Sequence, residues 1–270
     1  MTDLIDELLQ NAKQNDILGK ITKKGPYGVV KYELDIDKKL SKILKKREGH
    51  YTTLKVHQNF LWSPRVKHYL IGQLRTTILR YFKQFNISAP NVLVVGLGNN
   101  SMVCDSLGQM SCKQLCIIDQ NTLQNSTKEG HIGFVLPSVK GLTGVDSLDF
   151  IDAIIRKTSP NVVIAIDSLT ASNIQRLGLT FQLSDAGICP GGGVGNFRGV
   201  VAFDTVGVPV LSIGVPLLID ISNLCDCDTN SPYKHFTPKE IDFVVERCAN
   251  IIGSAINTSV FPLDVLQLYK

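Results

Sequence analysis

Apolar runs of strand length alternate with segments of helical spacing along most of the chain. The runs NVLVVGLG (91–98), KQLCIID (113–119), NVVIAID (161–167), TFQLSD (180–185) and PVLSIGV (209–215) each predict a strand. Continuous apolar runs are typical of parallel strands that are buried on both faces. The alternation therefore predicts an α/β fold: a three-layer, mostly parallel sheet with helices on both faces.

Helical segments and two further strands complete this prediction. Ser63 and Pro64 give a favourable start to a helix over Arg65–Phe85, because serine caps the backbone N–H groups and proline suits the first turn. Strands are also predicted over Val29–Ile36 and 49–56. The other predicted helices cover residues 2–14, 101–110, 145–157, 171–178 and 238–257. We predict an N-terminal lobe (1–88) packed on an α/β catalytic core (89–270), or alternatively a single domain over 1–270.

Composition excludes several classes of protein. The 270 residues are 44% hydrophobic, which is enough for a substantial core. No apolar run reaches the roughly 18 residues of a membrane helix, and the sequence MTDLIDELLQ has no signal-peptide pattern. We therefore expect a cytoplasmic protein without a membrane partner. The net charge of +4 is too small to suggest direct nucleic-acid binding.

Cysteine and histidine positions give no metal motif. The seven cysteines are scattered and form no CxxC pair, and the five histidines form no HxxxH pattern. The pair Cys225 and Cys227 lacks the partners of a zinc site. We expect no metal, no cofactor and no disulfide framework.

The glycines of GLGN (96–99) admit two interpretations. A dinucleotide-binding turn would need a third glycine where Ser101 stands, with an acid such as Asp119 at the end of the next strand. The simpler alternative is that Gly98 permits a tight turn where a strand ends.

Two acids follow apolar strands and are the candidate catalytic residues. Asp105 lies shortly beyond the 91–98 run, and Asp167 ends the 161–167 run. Because parallel strands share one carboxyl edge, both acids can face a single crevice. Two close carboxyl groups do not both ionise easily, which separates them into an acid and a base. The alternatives, a helix cap for Asp105 and a turn residue for Asp167, remain open.

A glycine-rich loop, GGGVGN (191–196), follows Asp185. Its backbone can approach a ligand closely and donate N–H groups to an anion or a peptide, although such loops are also simple turns. Asp185 can orient the loop through an Asx-type turn. The candidate substrate-binding residues are Gly98, Asn99, Asp185, Gly193, Gly195 and Asn196.

Seven blocks, in order, resemble a known family along nearly the whole chain. They are KREGHYTTL, VVGLGNNSMVCDSLG, GLTGVDSLDFIDAII, VIAIDSLTASNIQRL, TFQLSDAGICPGGGVGN, GVPVLSIGVPLLID and FTPKEIDFVVERCANIIGSAIN. The chain resembles the germination protease family of spore-forming bacteria, the endopeptidases that degrade small acid-soluble spore proteins.

The resemblance implies an aspartic-type endopeptidase, with Asp105 and Asp167 at the positions of the two family acids. It also implies a fold similar to hydrogenase-maturation proteases, a homotetramer and a location in the spore core. The expected partner is a protein substrate, the small acid-soluble spore proteins.

Several positions depart from the family pattern. Cys104 and Gln109 replace prolines around Asp105, and Cys189 replaces a histidine before the glycine-rich loop. These changes leave a second hypothesis, a catalytically impaired paralogue that binds peptides. A metal-dependent maturation protease on the same fold is a third, and nucleotide binding a fourth.

Overall fold

A computed structural model describes residues 22–57, 63–118, 130–190, 199–220 and 235–267. Several predictions fall outside these ranges: the helix over 2–14, Asp119, the glycine-rich loop with Gly193, Gly195 and Asn196, and the pair Cys225 and Cys227.

The described strands form one nine-stranded sheet. Its order is β1-β2-β3-β7-β8-β6-β4-β5, and β9 pairs with β8. The strands are β1 (Thr22–Lys24), β2 (Val30–Ile36), β3 (Gly49–Lys55), β4 (Asn91–Gly96), β5 (His131–Val135), β6 (Val162–Ala171), β7 (Thr180–Ser184), β8 (Val210–Asp220) and β9 (His235–Phe236).

The sheet is mixed. Strands β5, β4, β6 and β8 run parallel to their neighbours in this group, whereas β1, β2, β3, β7 and β9 form antiparallel pairs. The predicted α/β class is confirmed, but the prediction of a mostly parallel sheet is wrong, because antiparallel pairs outnumber parallel ones among the described strands. The apolar runs did predict the parallel strands β4, β6 and β8, whereas the run at 180–185 forms β7, which pairs antiparallel on both sides.

Helices connect the strands of the described chain. The predicted helix after Ser63 is confirmed as α2, whereas residues 171–178 contain only a 3-10 turn over Ile174–Arg176. Another 3-10 turn covers Val103–Asp105. The α-helices are α1 (Lys38–Leu44), α2 (Pro64–Gln84), α3 (Leu107–Cys112), α4 (Lys140–Thr143), α5 (Ser147–Thr158), α6 (Phe203–Val206), α7 (Ile241–Val260) and α8 (Leu263–Gln267).

Two separate apolar cores lie on the two faces of the sheet. Successive residues of a strand point to opposite faces: Val92 and Val94 of β4 join the core under α2, α3 and α7. Leu93 and Val95 join the second core, under α5 and α6. Burial on both faces explains why the central strands are apolar throughout, and it gives the three layers that the sequence predicted.

The strand predicted over 113–119 is wrong for its described residues. Residues 113–118 follow α3 without strand structure. The side chain of Asn257 in α7 accepts a hydrogen bond from Cys116 N at 2.9 Å and donates one to Gln114 O at 2.9 Å. A side chain thus satisfies backbone groups that a strand partner would otherwise satisfy. Strand β5, which pairs with β4, was not predicted.

The predicted N-terminal lobe contributes strands to the same sheet as the core. Strand β3 pairs antiparallel with β7, with Tyr51 opposite Ser184 and Lys55 opposite Thr180. One sheet therefore runs through the described residues on both sides of position 88. The division of the chain at that position stays a prediction.

Candidate active site

A cleft of about 390 Å³ lies where β4 ends beside β6. Asp105 and Asp167 both line it, so the structure brings together the two acids that the sequence singled out. The other described residues that line it are Leu97, Gly98, Asn99, Met102, Cys104, Ser138, Val139, Ser147, Pro190, Leu218 and His235.

The turn after β4 holds Asp105 against its own backbone. Asn99 N donates to Asp105 O at 3.0 Å and to Asp105 Oδ2 at 2.9 Å. Gly98 has φ +101°, and a Cβ at this position would lie 2.0 Å from Asp105 O. The glycine therefore serves a tight turn closed by Asp105, the simpler of the two interpretations of GLGN. This turn fixes where the Asp105 carboxylate sits.

Asp167 lies inside β6 and not at its end, which corrects the sequence-based placement. Strand β6 continues to Ala171 along β8. Its pairing with β4, however, stops at Ile166 opposite Gly96. Asp167 is thus the first residue of β6 beyond the end of β4, which is where the cleft opens.

The environment of Asp167 favours its protonated form. The residue is only 5% exposed, and burial is the main cause that raises the pKa of its carboxyl group to about 8. The negative charge of Asp105 raises this pKa further, while a hydrogen bond from Ser168 N to Oδ1 at 2.9 Å opposes the shift. Burial and the nearby Asp105 charge therefore both favour the proton-bearing form of the Asp167 carboxyl group.

Helix α3 approaches β6 and the residue that follows β4 closely. A Cβ on Gly108 would lie 2.5 Å from Ile166 O, 2.5 Å from Leu97 N and 2.5 Å from Leu97 O. All three atoms belong to the backbone, so the neighbours cannot rotate away. Contact between the helix and these two segments therefore requires glycine at this position.

We predict that Gly108→Ala destabilises the fold by about 1–3 kcal/mol, because the added methyl group forces α3 away from the strands. Gly72→Ala in α2 is the matched control: nothing lies within 4 Å of a Cβ there. Alanine in an exposed helix interior should stabilise the protein by about 0.5–1 kcal/mol. Urea unfolding of both variants measures the difference, and equal stability of the two would contradict the close approach.

The structure places Asp185 outside the described lining of the cleft. Its Oδ1 accepts a hydrogen bond from His50 N at 2.6 Å, at the start of β3, and burial raises the pKa of its carboxyl group. Its described contact joins β3 to the end of β7. Gly98 and Asn99 do line the cleft, but the Asn99 side chain is engaged in the turn, where Oδ1 accepts from Ser101 N at 2.9 Å.

The glycine-rich loop lies outside the described residues, but the segments before and after it pair with each other. Ile188 N donates to Val201 O at 3.0 Å, and Val201 N donates to Ile188 O at 2.8 Å. Pro190, one residue before the loop, lines the cleft. The chain therefore enters the loop at the edge of the cleft.

Four residues of the site were not identified as site residues from the sequence. Gln109 Nε2 donates to Gly98 O at 3.1 Å and supports the turn. Ser147 Oγ donates to Ser138 O at 2.9 Å, across the cleft wall, where Ser138 has φ +58°. His235 reaches the cleft on β9. His235 reaches the cleft through the pairing of β9 with β8, which leaves no local pattern in the sequence.

The described ranges contain neither a metal-binding cluster nor a membrane-spanning helix. Those residues contain no group of three or more His, Cys, Asp or Glu side chains that could hold a metal ion. Among the same residues, no helix is long and apolar enough to cross a membrane.

The fold and the cleft define an α/β protein with two aspartates in one cleft, where β4 ends beside the longer parallel strand β6. The chain belongs to the germination protease family, whose sequence profile matches residues 4–236. The predicted family is thereby confirmed, and six of the seven blocks lie within the matched residues.

The chain matches curated relatives over only part of their length. It is 32% identical over 233 residues to the germination protease of Bacillus subtilis, covering 84% of this chain and 63% of that protein. It is 33% identical over 231 residues to the germination protease of Priestia megaterium, covering 83% of this chain and 62% of that protein. The chain thus spans less than two thirds of the length of these relatives.

A solved structure that resembles the chain is the [NiFe] hydrogenase maturation protease HycI from Thermococcus kodakarensis. The TM-score is 0.38 at 15% sequence identity, and the match covers 67% of this chain and 98% of that chain.

Proposed function

We propose that the chain is an endopeptidase of aspartic type, with Asp105 and Asp167 as its catalytic pair. The observation that carries the proposal is that both carboxyl groups line one cleft and that burial with a neighbouring negative charge holds Asp167 protonated. Membership of the germination protease family supports a proteolytic role.

Each acid has a distinct role in the proposed reaction. Asp105, on the more exposed side of the pair, takes a proton from a water molecule as its oxygen attacks the scissile carbonyl carbon. Asp167 gives its proton to the carbonyl oxygen, which would otherwise carry a negative charge in a poorly hydrated cleft. Addition of water with these two proton transfers converts the amide into a tetrahedral diol that carries no net charge.

The proposed substrates are the small acid-soluble spore proteins, by similarity to the family. An unfolded segment would lie along the cleft between the 98–105 turn and Pro190, where the glycine-rich loop begins. Backbone N–H groups of Gly193, Gly195 and Asn196 would hold the peptide backbone. A homotetramer in the cytoplasm of the spore is the assembly and location that the same similarity suggests.

Incubation of the purified protein with a small acid-soluble spore protein, followed by mass spectrometry of the products, tests this function. We expect paired fragments from internal cleavage, each pair adding up to the intact substrate plus one water. The same fragments should form in the presence of a metal chelator. Intact substrate after prolonged incubation over a range of pH values would contradict the proposal.

A second candidate function is peptide binding without cleavage. It is favoured by the half-buried Cys104, which lines the cleft directly beside Asp105. Burial and the Asp105 charge raise the pKa of its thiol, so this group is neutral and adds an apolar surface next to the base. Saturable binding of the spore protein with no fragments at any pH from acidic to alkaline would favour this function over the first.

A further inference from the structure

Arg47, between α1 and β3, binds described segments on both sides of the glycine-rich loop. Its Nε donates a hydrogen bond to Ala186 O at 2.9 Å, before the loop. Its Nη2 donates to Asp204 Oδ1 at 2.7 Å and to Asp204 Oδ2 at 2.8 Å, after the loop. One guanidinium group therefore joins three segments that are far apart in the sequence.

This set of acceptors suits arginine. A guanidinium group is planar and carries several donors in a fixed arrangement, so it can bind a carboxylate and a carbonyl oxygen together. A lysine ammonium group is a single point charge on a flexible chain and lacks this geometry. The hydrogen bond from Arg47 lowers the pKa of Asp204, which favours the ionised carboxylate that the contact needs.

The backbone of Arg47 is held by the sheet. Tyr51 Oη donates a hydrogen bond to Arg47 O at 2.8 Å. Tyr51 lies on β3, opposite Ser184 of β7, and its buried ring belongs to a small apolar cluster that also contains Ala186. The guanidinium group therefore extends from a part of the chain whose position the sheet fixes.

The segments before and after the loop pack closely against each other. Ile188 and Val201 exchange two backbone hydrogen bonds. Gly187 has φ +84°, and a Cβ at this position would lie 2.5 Å from Val201 O and 2.5 Å from the Cβ of Ala202. The two segments therefore form one packed unit, and Arg47 bonds to both of them.

The segment that Arg47 holds leads directly into the cleft. Ala186 and Ile188 are buried, and Pro190 lines the cleft together with Asp105 and Asp167. A displacement of this short segment therefore moves part of the wall of the cleft.

We propose that Arg47 is a positioning residue for substrate binding, which holds the segment from Ala186 to Pro190 where it forms the wall of the peptide cleft. The inference rests on the proposed function, because it concerns the substrate cleft of that reaction. The described hydrogen bonds of the guanidinium group reach Ala186 and Asp204, so Arg47 acts on the peptide through this wall. Its effect should appear in the affinity for the substrate.

A merely structural role predicts a different result. The side chains of Arg47 and Asp204 are 43% and 61% exposed. Ion pairs this exposed contribute little to the free energy of unfolding. Loss of the contact should therefore change global stability little, although it releases a wall of the cleft.

The test measures cleavage of the spore protein by Arg47→Ala, Arg47→Lys, Asp204→Asn and wild type. We expect Arg47→Ala to raise KM about 10-fold while kcat stays within about twofold, because a preorganised binding surface is lost. Arg47→Lys, which keeps the charge, and Asp204→Asn, which keeps an acceptor, should raise KM less. The matched control is Arg156→Ala, which removes the exposed ion pair with Asp152 within α5, 2.8 Å long, and should match wild type.

Two further measurements separate positioning from a general effect on the fold. The double variant Arg47→Ala/Asp204→Asn should have the KM of Arg47→Ala alone, because both changes remove one contact. In Arg47→Ala, the amide hydrogens of Ile188 and Val201 should exchange with solvent faster than in wild type. Exchange at Val94, in the centre of the sheet, should stay unchanged.

Three results would overturn the proposal. The first is an unchanged KM in Arg47→Ala, whatever the exchange rates. The second is an equal rise of KM in Arg156→Ala. The third is a lower kcat at unchanged KM with a lower free energy of unfolding, which would assign Arg47 a structural role.

The proposed function and this inference fail in different ways. A wild-type protein that cleaves nothing refutes the endopeptidase function. In that case amide exchange at Ile188 and Val201 still shows whether Arg47 holds the segment. A wild-type protein that cleaves, with an Arg47→Ala variant of unchanged KM, refutes the inference alone.

Discussion

Asp105→Asn and Asp167→Asn should each reduce the rate of cleavage of a small acid-soluble spore protein by about 10²–10⁴-fold. Asparagine at position 105 cannot take a proton from water. Asparagine at position 167 cannot give one to the carbonyl oxygen and take it back. Initial rates measured by mass spectrometry of the fragments, at several pH values, check both effects.

Each substitution preserves the shape of the side chain and a hydrogen-bond acceptor. In Asp105→Asn the new amide oxygen could still accept from Asn99 N, and in Asp167→Asn it could still accept from Ser168 N. The matched control is Asp149→Asn in the first turn of α5, where the side chain is exposed. Full activity of either cleft variant would refute the assignment of the pair. Equal loss in the Asp149 variant would point to a general effect on the fold.

The free energy of unfolding of the wild-type protein should fall as pH rises from about 5 to about 7. Asp167→Asn should remove the contribution of Asp167 to this pH dependence. The pKa of Asp167 is about 8 in the folded chain against an ordinary value of 3.8. Between these values the folded protein holds a proton that the unfolded chain has lost. Stability therefore decreases with rising pH, by at most about 1.4 kcal/mol per pH unit from this group.

The direction of this pH dependence distinguishes a protonated Asp167 from a carboxylate that is held in a salt bridge. A carboxyl group with a lowered pKa would stabilise the fold more as pH rises, whereas Asp167 should stabilise it less. Urea unfolding of both proteins at several pH values between about 5 and about 7 measures the dependence, and the variant should gain on wild type by up to about 1.4 kcal/mol per pH unit. Parallel curves for the two proteins would show that Asp167 is not held protonated.

The central strands were predictable from the sequence because a strand that is buried on both faces is apolar at nearly every position. Strands β4, β6 and β8 lie in the middle of the sheet, so both faces are apolar and the sequence shows continuous apolar runs. Asp105 stood out as an acid shortly beyond one apolar run, and Asp167 as the acid that ends another. Both line one cleft, as predicted, although Asp167 lies inside β6 and only beyond the end of β4.

Most of the wrong and missing predictions involve contacts between distant segments. Residues 113–118 looked like a strand because they are apolar, but Asn257 in α7 satisfies part of their backbone. Strand β5 was missed because only Ile132 is buried there. Asp185 contacts His50 because β3 pairs with β7. His235 reaches the cleft because β9 pairs with β8. None of these pairings leaves a signal in the local sequence.

The central claim is that Asp167 carries a proton, because its carboxyl group is buried and because the negative charge of Asp105 lies close to it. Carbon-13 NMR of labelled aspartate carboxyl groups tests this directly, with Asp167 assigned by its loss in Asp167→Asn. We predict that Asp167 titrates near pH 8 in wild type and at a lower pH in Asp105→Asn, which lacks the neighbouring charge. Titration of Asp167 near its ordinary value, unaffected by Asp105→Asn, would contradict the account.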